Sequence, residues 1–242
     1  MMDSYLIRPG EMLYLLKVAG ISIPPTMTAD EFGVFAGTPS PAPSADAEAK
    51  QALINALAAP EIVVRVWRME SDTGPDMVWY YWDGISAVGL RKKEGGDFEL
   101  FTLDDLDALR LAVKNVLTLK PVPKEEDFYA ILSREDFMEA RDLADVWDEV
   151  PALDILEADG LHKSSAKELF DAASAPEWRT QVNLTGIRPQ GNIERVVRVA
   201  QGANSAWMAV PLDPQISRVR VETIQAGELE SLLWEYWDEV GG

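Results

Sequence analysis

Cysteine is absent from the chain, and histidine occurs once, at His162. Without cysteine there is no disulfide, no thiolate nucleophile and no zinc–thiolate site. Basic residues are scarce as well. The 242 residues hold 22 Lys+Arg against 41 Asp+Glu, a formal charge of -19. A protein that grips phosphates needs a basic footprint, so the expectation is no nucleic acid and no anionic membrane surface as partner. Long apolar runs are missing too. The N-terminal MMDSYLIRPGEMLYLLKVAGISI is interrupted by Arg8, Glu11 and Lys17, which suits neither a signal peptide nor a membrane span. The default expectation is therefore a cytoplasmic protein. No glycine-rich phosphate loop follows a strand, and neither H-E-x-x-H nor EF-hand spacing occurs.

Enough apolar sequence remains for a core, since 47% of the residues are hydrophobic. Its arrangement repeats. Ala59-Pro60-Glu61 recurs 116 positions later as Ala175-Pro176-Glu177, each after a helix-like stretch, KQALINALAAPE and AKELFDAASAPE. After the first come four strand-like runs at 62–69, 77–82, 85–91 and 97–102; after the second, four more at 178–186, 192–200, 204–210 and 217–224. Alternation is cleanest in the last, with Val219, Val221 and Thr223 on one face and Arg218, Arg220 and Glu222 on the other. Turn-rich separators such as Asp83-Gly84 make each set an antiparallel meander. A helix closes each set. In the first, Thr102 is the expected N-cap with Asp105 completing a weak capping box; in the second, the helix spans 227–240. The opening segments EMLYLL (11–16) and DFYAIL (127–132) also match at the same offset. The fold expected is α+β and internally duplicated. Two four-stranded meanders form one quasi-two-fold central antiparallel sheet flanked by helical bundles. The repeats run over 1–121 and 122–242 and together make one structural domain. Residues 37–49, rich in Pro, Ala and Ser, read as a linker present in the first repeat alone.

Catalytic constellations do not emerge. His162 precedes a helix that Ser164 or Ser165 would cap, and it reads as a surface loop residue rather than the base of a triad. Asp104, Asp105 and Asp107 suit the first turn of a helix. No enzyme, metal or cofactor is therefore expected. A protein partner is the better expectation. The two halves carry unequal charge, -6 over 1–121 and -13 over 122–242, and 142–159 holds seven acids and no base. Asp142, Asp145, Asp148 and Glu149 fall near one helix face at i, i+3, i+6 and i+7; without EF-hand spacing this reads as a solvated charged face rather than a weak Ca²⁺ site, and the four count among the partner-binding candidates. Tyr80, Tyr81 and Trp82 are consecutive, so either both sheet faces are covered or an aromatic is left for a partner. Tyr81, Trp147 and the basic loop Arg91-Lys92-Lys93 complete the partner-binding candidates.

The stretches ELFDAASAPEWRTQVNLTG, RVVRVAQGANSAWMAV and VRVETIQAGELESLL join a leucine-rich helix, an Ala-Pro-Glu turn and a strand ending at glycine. In this they resemble the EspG family, chaperones of type VII (ESX) secretion systems. The resemblance covers nearly the whole chain as a pattern of elements. It departs at 37–49 and at the aromatic strand MVWYYW. It implies a quasi-two-fold sheet between helical bundles and a chaperone or adaptor role towards a helical secreted substrate of the PE/PPE type. No site residue transfers one to one. The alternative is an acidic inhibitor or immunity-type protein that captures a basic partner electrostatically. A third reading is an enzyme or small-molecule sensor with a pocket between the halves.

Overall fold

A computed structural model describes residues 4–28, 46–70, 75–93, 95–120, 128–203, 205–213 and 216–241. Among these residues the elements run β1 (Ser4–Ile7), α1 (Pro9–Val18), α2 (Ala47–Ala56), β2 (Ile62–Glu70), β3 (Asp76–Trp82), β4 (Ala87–Lys92), β5 (Phe98–Leu103) and α3 (Leu106–Val116). They continue with β6 (Tyr129–Ser133), α4 (Arg134–Asp145), α5 (Glu149–Ala158), α6 (Lys163–Ser174), β7 (Trp178–Gly186), β8 (Ile193–Gln201), β9 (Ala206–Asp213), β10 (Ile216–Thr223) and α7 (Ala226–Gly241). All ten strands form one antiparallel sheet in the order β1-β5-β4-β3-β2-β7-β8-β9-β10-β6. The α+β class and the two central meanders are as expected.

The order reads the same from either edge once first-half strands are exchanged for second-half ones. The seam between the halves is β2 against β7, paired over nine residues each, and at its centre Val66 faces Val182. Those two valines are 116 positions apart, the same interval that separates the two Ala-Pro-Glu turns. Ile62↔Gly186 maps by that interval onto Glu70↔Trp178, also a pair of the seam. The repeated tripeptide has a mechanical reason. Proline follows the end of α2 and of α6, where no helical N–H is needed. The next residue turns its N–H into the sheet: Glu61 N–H donates to the Trp82 carbonyl at 2.7 Å, and Glu177 N–H to the Gln201 carbonyl at 2.8 Å.

Helices cover both faces, making three layers. On one face α3 and α7 lie over Val64, Val66, Val182, Leu184, Val197 and Val199. On the other, α1 and α2 pack over Val63, Trp79, Tyr81, Val88 and Leu90 of the first half. The α4–α6 bundle packs over Trp207, Ala209, Val219 and Val221 of the second. The consecutive aromatics are thereby divided. Tyr80 joins the α3–α7 core, edge-on to Phe101 at 6.2 Å between ring centres, and Tyr81 joins the α1–α2 core.

Several expectations are corrected. The edge strands β1 and β6 were not foreseen; they pair with β5 and β10. EMLYLL and DFYAIL are therefore not equivalent, because residues 11–16 lie in α1 and 129–132 in β6. Thr102 belongs to β5, and Asp105 is the N-cap of α3, accepting from Ala108 N–H at 2.8 Å. His162 itself caps α6, its Nδ1 accepting from Ser164 N–H at 3.4 Å. The proposed linker's residues 37–45 lie outside the described residues, and 47–49 already form the first turn of α2.

Candidate functional site

The central strands expose their second face between the two sets of helices. In a sheet covered on both faces the middle strands are expected to be apolar throughout. Here the rows on that face are Arg65 beside Asn183, and Trp67 beside Gln181 beside Arg198, all half-buried. On this face no described helix packs over the β2 and β7 members of these rows, and α6 reaches in only as far as β8. The floor is knitted together: Arg198 Nε donates to Gln181 Oε1 at 2.9 Å, and Gln181 Nε2 donates to Asn183 Oδ1 at 2.8 Å.

Towards the second half the floor deepens into a cavity of about 370 Å³ under α4–α6. Its wall is apolar, made of Phe137, Ala140, Ala144, Leu156, Leu169 and Phe170. Helical spacing explains that wall, since 137, 140 and 144 recur on one face of α4. Trp67 and Trp207 add aromatic surface from the sheet. The charged lining is the reverse of the protein's overall charge, with Arg65, Arg141, Arg179 and Arg198 against the single carboxylate Asp145. Arg179 is tied to Asp145 and lies over the Trp67 ring, 5.7 Å from its centre. Arg141 pairs at 2.7 Å with Asp142, which is largely exposed. Burial lowers the Arg198 pKa to about 10, and Arg141 and Arg134 push it in the same direction. The guanidinium nevertheless stays charged at neutral pH. Among the described residues no carboxylate pairs with it.

The residues singled out from sequence are scattered. Tyr81 is 1% exposed inside the first half's core, where α1 and α2 cover it, so it offers no surface to a partner. Arg91 and Lys92 end β4 rather than forming a loop, and β3 and β2 separate β4 from the second half. Arg91 lies 3.6 Å from Asp76, and Lys93 lies 2.6 Å from Glu99. The Lys93 hydrogen bond holds the Glu99 pKa below its ordinary value, despite some opposing burial. The acidic quartet is not one helix face. Asp142 and Asp145 lie in the last turn of α4, Asp148 stands at the N-cap position of α5 without a side-chain capping bond, and Glu149 opens that helix. Asp145 is engaged by Arg179, and Glu149 lies 3.4 Å from Lys167. The break falls at Trp147, whose φ of 60° is the left-handed region that bulky residues avoid. That corner presents Trp147 at 66% exposure, with Val146 and Val150 at 70% each. It adjoins the end of α4 that supplies Ala144 and Asp145 to the cavity. The floor arginines were missed, though they left a signal: Arg65, Arg179 and Arg198 sit on strands whose neighbours belong to a core.

Among the described residues no cluster of His, Asp and Glu is arranged to hold a metal, and no helix is long and apolar enough to cross a membrane.

No protein-family model matches the sequence, and no curated protein matches it. The fold is similar to that of the Mycobacterium tuberculosis type VII secretion system chaperone EspG5, solved in complex with a PE25–PPE41 dimer. The TM-score is 0.63 with 12% sequence identity, over 95% of this chain and 94% of that one. The chain thus has an EspG-like fold.

Proposed function

We propose that the protein is a non-catalytic, chaperone-like binder of a helical protein partner, of the PE/PPE type, held on the uncovered face of the central strands. The observation that carries this reading is the break in the second helical layer over β2 and β7, beside β8, which α6 overhangs. It leaves a floor of half-buried polar side chains beside an apolar-walled cavity of about 370 Å³. The end of an α-helix is about 10 Å across with its side chains, so one or two apolar residues at a helix tip suit that volume. The exposed corner at Val146, Trp147 and Val150 supplies an aromatic anchor at the rim. The EspG-like fold favours a secretion chaperone over other binders. In the same reading the halves descend from one duplicated unit, which the centring of the seam on Val66 and Val182 supports.

Co-expression with PE/PPE-type dimers, followed by size-exclusion chromatography, tests the proposal. A stoichiometric complex is expected with a cognate dimer. Ala173→Trp, on the α6 side of the cavity, should abolish it while leaving the fold intact. A complex formed equally well by Ala173→Trp would refute docking in the cavity.

A further inference from the structure

Docking of an apolar tip alone does not account for the cavity's charge. A purely hydrophobic receptor would not place four guanidinium groups around its lining against a single carboxylate. In a protein with a formal charge of -19 this concentration runs against the background. Arg179 is paired with Asp145, and Arg141 with Asp142. Arg198 is different. Its Nε is committed to Gln181 at 2.9 Å, which fixes the plane of the guanidinium. Gln181 is in turn held by its bond to Asn183, so the bearing of Arg198 is set by a chain of side chains. Its strand position, opposite Ala209 on one side and Gln181 on the other, puts it on the cavity floor. A half-buried guanidinium oriented in this way is a receptor for a carboxylate, the group its geometry matches best.

We infer that Arg198 recognises the carboxylate of an Asp or Glu carried among the apolar residues of the partner's helical tip. The inference rests on the docking reading above and names what that docking selects. The partly desolvated charge of Arg198, seen in its lowered pKa, is relieved when the carboxylate arrives. The apolar wall from Phe137 to Phe170 takes the neighbouring side chains of the tip. A base at that position is repelled and an amide binds more weakly, because either leaves the half-buried Arg198 without a counter-charge. Selectivity thus comes from one charge pair inside an apolar site.

The test is a selection of displayed helical hairpins with randomised tips against the intact protein. The selected hairpins are then titrated against wild type, Arg198→Met, Arg198→Lys and Ala173→Trp. Selected tips should carry Asp or Glu among apolar residues. Exchanging that acid for its amide should weaken binding about 10- to 100-fold, the range of a charge-assisted hydrogen bond. Arg198→Met should show the same loss, with no further loss on the amide hairpin, and Arg198→Lys should recover part of it. Because the acid-to-amide exchange leaves the protein untouched, the inference remains testable even if Arg198→Met folds poorly. Tips without acid enrichment that bind Arg198→Met as well as wild type, yet lose binding to Ala173→Trp, would overturn the carboxylate and leave the docking reading standing. Selected hairpins indifferent to Ala173→Trp, or no selected hairpins at all, would overturn both.

Discussion

The strand that carries much of the site floor ends at Gly186, and the absence of a side chain there is a packing requirement. A Cβ at Gly186 would stand 2.4 Å from the Val240 carbonyl oxygen and 3.2 Å from its carbon. Both atoms are backbone at the end of α7, so no side-chain rotation relieves the clash. Helix α7 is held by Leu229, Leu233, Tyr236, Trp237 and Val240 in the core and by Arg188, which donates to the Glu239 carbonyl at 3.1 Å. Moving its end by the several tenths of an ångström required disturbs that packing, and overpacking of this kind costs about 1–3 kcal/mol. Gly227 at the other end of the same helix is the control. It is exposed and nothing lies within 4 Å of a Cβ placed there. Gly227→Ala should stabilise by about 0.5 kcal/mol through the unfolded chain and helix propensity. Urea unfolding followed by tryptophan fluorescence measures both variants. Gly186→Ala at or above wild-type stability would refute the claim that α7 is clamped against the end of β7.

Burial pushes the Tyr80 phenol up to about 12, opposed by Arg91 and reinforced by Asp76. Below about pH 10 the phenol is protonated in both states; between about 10 and 12 only the unfolded chain releases its proton. Native stability should therefore fall across that window, by about 2–3 kcal/mol from this group, and Tyr80→Phe should remove its share of the slope in alkaline unfolding curves. Tyr236, also raised by burial, adds a decline of the same sign that Tyr80→Phe leaves in place. Glu11 and Lys50 form a buried pair at 2.9 Å between α1 and α2, their side chains 9% and 7% exposed. Lys50→Met alone should cost about 3–5 kcal/mol by stranding the carboxylate, whereas Glu11→Leu with Lys50→Met should be near wild type. A double variant as unstable as the sum of its singles in urea titrations would contradict this account.

The eight central strands were legible because each is long enough to show alternation or a β-branched run between turn signals. The edge strands were not. SYLI and YAILS are four and five residues long, and each pairs with a strand more than 80 positions away. DFYAIL carries the same local pattern as EMLYLL, yet its Tyr129–Leu132 portion lies in a strand because β10 offers it an edge. The acidic quartet looked like a helix face because spacing alone cannot show that the backbone turns at Trp147. The site was the least legible part. Arg65, Arg179 and Arg198 lie far apart in sequence, and only the pairing of β2, β7 and β8 side by side turns them into the lining of one cavity. Tyr81 shows the opposite error, since an aromatic that could have faced a partner is covered by helices remote in sequence.

The claim that the uncovered face of the central strands is the docking surface is tested most directly by hydrogen–deuterium exchange on the chain with and without a bound helical partner. The account predicts new protection in α4, α6, β7 and β8, with α3 and α7 on the opposite face unchanged. Protection confined to α3 and α7, or to the end of β4 around Arg91 and Lys93, would contradict it.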